Sequence, residues 1–255
     1  MQMLQLLRGM LGRQRGRGAS ISLTWYRRHA DAWLTRELPA TLAAADRGAR
    51  TAQIERLAAL ANALGPQPLW SGYPPQGRGP TRQADDVRTA RAMGELFTRL
   101  VERRRPEVVV EFGAAFGVSG MYWLAGIEAN GFGELLSFEP NEGWARIARE
   151  NLARIGTRFR LTVGTFEECV DAVLGAGRRL DLAFIDAIHT PEFVMPQLEL
   201  VVARSRPGVL VVLDDVNFSE AMGECWEQIA RDPRFVASAR LGRRVGILEL
   251  AREPG

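Results

Sequence analysis

The 255-residue sequence contains no lysine; all 33 of its basic residues are arginine. Lysine is therefore excluded from every catalytic role. Cysteine is scarce too. Cys169 and Cys225 cannot make a disulfide framework, and so few thiols suit a reducing compartment, here the cytoplasm. Membrane-length apolar runs, which need about 18 residues, are missing, so no membrane span is expected. A large charge excess is also missing: a net +3 over this length argues against a dedicated nucleic-acid binder. The first residues, "MQMLQLLRGMLGRQRGRG", place an apolar stretch ahead of most of their charge (Arg8, Arg13, Arg15 and Arg17). That order is the reverse of a secretory signal and reads as a frayed basic arm, dispensable for chemistry. No internal repeat is visible.

What is present is a hydrophobic fraction of 46%, enough for one large α/β domain with an appendage. Residues 20 to 65 read as mostly helical, with Ile54, Leu57, Leu60, Ala61 and Leu64 on one stripe. The stretch 64 to 81 holds five prolines and four glycines and reads as a linker or a lid that carries Trp70 and Tyr73. A helix is expected from Ala84 until Pro106 ends the run. Beyond it the pattern alternates. "EVVVEFG", "GELLSFE", "RFRLTVG", "LDLAFID" and "GVLVVLDD" are near-continuous apolar strands with helical segments between them. That alternation predicts a doubly wound, mostly parallel, Rossmann-like sheet covered on both faces. "RFVASAR" and "RVGILEL" follow across a short link and should pair antiparallel, which gives seven strands. The organisation expected is an N-terminal helical extension with lid or linker over 1–80 and the main domain over 81–255.

The turn after the first of these strands, "EFGAAFGVS", carries Gly113 and Gly117. In a doubly wound sheet, ligands bind outside the carboxyl ends of the strands. A dinucleotide site wants G-x-G-x-x-G with a pyrophosphate on the helix start. Here the spacing is G-x-x-x-G, and Glu111 would repel a phosphate but suit an amine. Glu139 ends the second strand, 22 residues past Gly117, where a carboxylate typically bonds a ribose diol. An amine at one end and a ribose further along describe S-adenosylmethionine. The turn "VGTFEE" would flank the adenine, with Phe166 either on the ring or in the core. The candidate cofactor set is Glu111, Gly113, Ala114, Gly117, Ser119, Glu139, Pro140, Thr165, Phe166 and Asp186.

On "EFGAAFGVS", "SFEP", "FIDAIH" and "VVLDDV", residues 87 to 250 resemble the class I S-adenosylmethionine-dependent methyltransferases. Within that superfamily they are similar to the metal-dependent O-methyltransferases of the catechol type and to related sugar and natural-product methyltransferases. The resemblance implies methyl transfer to a hydroxyl of a small molecule. Asp186 ends the fourth strand, and Asp214 and Asp215 end the fifth. Acids converging at one sheet edge want a positive partner, and oxygen-only ligands suit Mg²⁺. The resemblance implies a divalent ion on the same three, although the family's common Asp-Asn is Asp-Asp here. His189 stands where the catechol-type enzymes carry a basic lysine. A neutral imidazole is a fitting base near pH 7, so His189 and Asp186 are the catalytic candidates. His29 lies in a region without motifs. A homodimer through the N-terminal helices is expected, and no nucleic-acid partner. Three other readings stay open: a metal-independent N- or C-methyltransferase, a non-catalytic partner with the same fold, and an NAD-dependent oxidoreductase.

Overall fold

The structure, a computed structural model, describes residues 21–44, 48–73, 79–186 and 188–252. The basic arm at 1–18 and residues 74–78 of the proline- and glycine-rich stretch lie outside the described residues. In chain order, β1 is Leu23–Arg28, α1 Trp33–Ala43 and α2 Ala49–Ala63. β2 (Gln67–Pro68) and β3 (Thr81–Arg82) form a small separate ribbon. Then come α3 (Ala84–Val87), α4 (Arg91–Arg104), β4 (Val108–Phe112), α5 (Val118–Asn130), β5 (Glu134–Glu139), α6 (Glu142–Ala153), β6 (Phe159–Val163) and α7 (Phe166–Leu174). The chain continues with β7 (Leu180–Ile185), α8 (Pro191–Arg204), β8 (Ser205–Leu213), α9 (Glu220–Arg231), β9 (Phe235–Leu241) and β10 (Val245–Leu250).

The main sheet has eight strands in the order β1-β9-β10-β8-β7-β4-β5-β6. β8, β7, β4, β5 and β6 are parallel; β10 runs antiparallel to both β8 and β9. The seven expected strands are all present. The eighth, β1, arises inside the stretch expected to be mostly helical and pairs antiparallel with β9. Its "LTWYRR" is rich in the aromatic and β-branched residues that favour strands, and it covers what would otherwise be an open edge. The helix expected from Ala84 is likewise two pieces. A Gln83–Asp86 capping box starts α3, and extended backbone at Arg88 ends it. That turn lets Arg88 reach Glu55 at 2.5 Å.

Strand alternation builds two apolar layers. Val109, Leu135, Phe184 and Val212 pack under α4 and α5, where Phe97 stacks on Trp123 at 4.1 Å. Val110, Phe112, Phe138 and Val211 pack under α7, α8 and α9. β4 lies between β5 and β7, so the strand order reverses beside it, and a crevice opens there at the carboxyl ends.

Candidate active site

The first turn of the site is built from left-handed backbone. Gly113, Ala115 and Gly117 have φ of 81°, 46° and 82°. The amides of Gly113 and Ala114 both donate to the Phe138 carbonyl, at 3.0 and 3.1 Å, which ties the turn to β5. A Cβ on Gly117 would stand 3.0 Å from the Ala148 backbone, so glycine is needed there for its φ and for the approach of α6.

Parity along the strands decides where the two glutamates go. Glu111 shares the face of Val109 and lies under α5, where it accepts hydrogen bonds from Ser119 Oγ and Ser137 Oγ, both at 2.6 Å. It is fully buried and does not line the crevice. Burial pushes its carboxyl up to about 7, and the two serine hydroxyls pull the other way. Glu139, at the very end of β5, does reach the cavity wall. It accepts from the Ala115 amide at 2.7 Å and the Asn141 amide at 2.9 Å. Burial raises its carboxyl to about 7 against those amides.

The cavity measures about 550 Å³, within the usual span for ligand sites of roughly 300–1,000 Å³. Gly113, Pro140, Thr165, Phe166 and Asp186 line it together with Glu139. Ala114 and Ser119 line a small adjoining recess instead, and Gly117 lines neither. Thr165 also caps α7 by accepting from the Glu168 amide at 3.3 Å. Phe166 stacks on Phe112 at 3.7 Å and meets Phe138 edge-on, so it is a core residue whose rim reaches the cavity. Trp70 and Tyr73 line the cavity as well. His29 lies apart, exposed beside Asp31.

The opposite end holds the acids. The Asp186 amide donates to the Phe112 carbonyl at 3.1 Å, and the Asp214 amide to Ile185 at 3.0 Å, so the parallel ladder runs one residue past the strands and sets the acids side by side. Asp215 has a φ of 52°, a costly conformation for a residue with a Cβ. His189, nearly buried, sets Nε2 3.5 Å from Asp215 and 3.7 Å from Asp186. Its ring faces Phe218 at 5.4 Å. Burial holds the imidazole below its ordinary range, against the pull of the nearby acids. Burial first, then Asp214, raises Asp186 well above the usual carboxylate range.

Three contributors escaped sequence reading. Arg244, at the tip of the β9–β10 hairpin, donates from Nε to Asp214 Oδ1 and from Nη2 to Asp214 Oδ2, both at 2.8 Å, and its Nε also lies 2.8 Å from Asp215. The antiparallel register Gly246↔Leu213 brings that tip to the acids, a signal readable only once β10 is paired with β8. Trp144 and Gln197 line the cavity, and the Trp144 indole N–H and the Gln197 side-chain oxygen have no hydrogen-bond partner. A buried polar group left this way costs about 1–3 kcal/mol.

Residues 110–216 match the methyltransferase-domain family model. A Mycobacterium avium protein named "Putative O-methyltransferase" is 30% identical over 159 residues, 60% of this chain and 67% of that protein. The cofactor-bound Rv0187 structure from MTB superposes with a TM-score of 0.60 at 21% identity, covering 86% of this chain and 97% of that one. The O-methyltransferase TomG from Streptomyces achromogenes, in complex with SAM, gives 0.56 at 19% identity over 65% and 82% of the two chains. The crevice at the strand-order reversal, the methyltransferase motifs along it and the shared sequence lead to one assignment: the chain belongs to the class I S-adenosylmethionine-dependent O-methyltransferases.

Proposed function

We propose that S-adenosylmethionine lies along the carboxyl ends of β4 and β5 and that a small-molecule hydroxyl is methylated beside His189. The observation that carries this reading is His189 itself: a nearly buried imidazole, held neutral by burial, at the wall of the cavity and flanked by two carboxylates. When bound, S-adenosylmethionine supplies an activated methyl; the acceptor oxygen bonds to its carbon while the carbon–sulfur bond breaks and its electron pair stays on sulfur.

The residues present fit that ligand. Each Glu139 oxygen already accepts a backbone amide, which fixes the carboxylate and leaves lone pairs for a ribose diol. Gly113 offers backbone without a side chain at the wall. The unpartnered Trp144 N–H and Gln197 oxygen supply one donor and one acceptor along the same cavity. Glu111 supports the turn from below and takes no direct part. His189 accepts the hydroxyl proton on Nε2, and Asp215, 3.5 Å away, stabilises the imidazolium that forms. Trp70 and Tyr73, beside the amine-to-ribose track, serve as one wall of the cover.

A divalent ion on Asp186, Asp214 and Asp215 is the family's customary aid. These side chains do not fit one as arranged. Both Asp214 oxygens are taken by the Arg244 fork, and one Asp215 oxygen lies on the same guanidinium. Among the described residues no three His, Cys, Asp or Glu side chains form a group able to hold a metal. No step is therefore routed through an ion. The homodimer through the N-terminal helices is part of the proposal; exposed Leu60 on α2 and Leu64 at its C-cap support it, and light scattering checks it.

The test is methyl transfer from isotope-labelled S-adenosylmethionine to a panel of aminophenols and amino sugars, which offer oxygen, nitrogen and carbon acceptors together. Label on oxygen is expected, with a large loss in His189→Ala. Label only on nitrogen or carbon would overturn the acceptor assignment.

A further inference from the structure

We infer that Arg244 is the resident cation of this active site and that its guanidinium fills the place a divalent metal would need. The inference deepens the proposed reading and rests on the acceptor hydroxyl lying beside His189. Three observations carry it. The first is geometric. Nε and Nη2 grip both Asp214 oxygens at 2.8 Å, the planar fork-on-carboxylate arrangement that only arginine makes, and Nε also meets Asp215 at 2.8 Å. The second is that the grip is built by the backbone. The Val216 amide donates to the Arg244 carbonyl at 2.9 Å, so the hairpin tip is fastened to the turn that carries the two acids. Register Gly246↔Leu213 and Ile247↔Val212 continues that fastening along the whole pair of strands. The third is coverage. The Asp214 side chain is 3% exposed while that of Arg244 is 46% exposed and lines the cavity. An ion approaching Asp214 must first displace the guanidinium.

The chemistry that follows differs from metal assistance. A guanidinium is a permanent charge with N–H donors but no open coordination position. It lowers the energy of a nearby oxyanion by field and hydrogen bonding, and a chelator cannot remove it. Mg²⁺ acidifies an oxygen bound to it directly; Arg244 does so less, so the proton must pass to His189. A substrate held this way needs one hydroxyl, not two adjacent oxygens to clasp an ion.

The test uses Mn²⁺ as probe, read by electron paramagnetic resonance on the whole chain, with calorimetric S-adenosylhomocysteine binding measured on the same samples. Wild type should take up no stoichiometric Mn²⁺. Arg244→Gln removes the cation and leaves the acids, so it should gain one Mn²⁺ per chain, at least about tenfold tighter than wild type. Arg244→Lys keeps the charge and should gain none. A merely structural salt bridge would not convert into a metal site. One tightly bound Mn²⁺ in wild type overturns the inference, and so does a folded Arg244→Gln with no gain. If Arg244→Gln does not fold, wild type and Arg244→Lys decide: Mn²⁺ on either overturns it, and its absence from both supports it. If wild type fails to bind S-adenosylhomocysteine while the Mn²⁺ pattern holds, the donor placement falls and the Arg244 assignment stands.

Discussion

The two ends of the cavity solve one problem, holding a carboxylate at a strand end, in different ways. At the proposed donor end Glu139 is held by two backbone amides, that of Asn141 two residues on and that of Ala115 across the adjacent strand. At the acceptor end Asp214 is held by Arg244, 30 residues away on a separate hairpin. The donor end is local to one βαβ unit: the pairing of the adjacent parallel strands β4 and β5, a short turn with left-handed backbone and a strand-end acid are enough to make it. The acceptor end exists only after the antiparallel strands have docked on β8. A local device tolerates change elsewhere in the fold, whereas an assembled one ties chemistry to the β9–β10 hairpin.

The largest expected effect falls at the assembled end. His189→Ala should lower turnover by roughly 10²–10⁴-fold, with activity rising at high pH as hydroxide replaces the base. A pH–rate profile checks it, and a near-silent variant would move the base elsewhere. In wild type the imidazole is held below its ordinary pKa, so the acid limb of kcat/KM should fall below about 6.5. Next comes Asp214→Ala, which leaves Arg244 with Asp215 as its acidic partner. Leaving a charge buried and unpaired would cost about 3–5 kcal/mol; the half-exposed guanidinium keeps Asp215, so the loss should be at most about 3 kcal/mol. Urea unfolding reads that loss; a midpoint unchanged from wild type would mean the hairpin is not fastened through this pair.

At the local end the effects are smaller. Glu139→Ala should weaken S-adenosylhomocysteine binding by about 1.5–3 kcal/mol, with the fold intact. Calorimetry that shows equal affinity would remove the ribose from Glu139. A separate effect, on stability alone, is the titration of Glu111. Its carboxyl is raised from 4.5 to about 7, so the folded state holds the proton more tightly than the unfolded chain. The cost of ionising it is absent below 4.5, grows between 4.5 and 7, and is full above. Wild type should therefore lose stability relative to Glu111→Gln across that window. A constant difference between the two proteins would show that Glu111 does not titrate there.

This contrast also explains what the sequence reveals. The parallel strands were legible because each is an unbroken apolar run, and Asp186, Asp214 and Glu139 because they end such runs. β1 was not, since "LTWYRR" is half exposed and carries no clear alternation. The face that Glu111 takes was not legible, because its position in sequence says nothing about it; the parity it shares with Val109 puts it under α5. Arg244 was one arginine among 33. Only the register of β10 against β8 sets it apart.

The most direct measurement is a crystal structure of the full chain with S-adenosylhomocysteine and Mg²⁺ supplied together. The account predicts the ribose on the Glu139 carboxylate and the Arg244 fork still on Asp214, with no ion between the acids. A nucleoside bound away from Glu139, or Mg²⁺ on Asp186 and Asp214 with Arg244 swung aside, would contradict it.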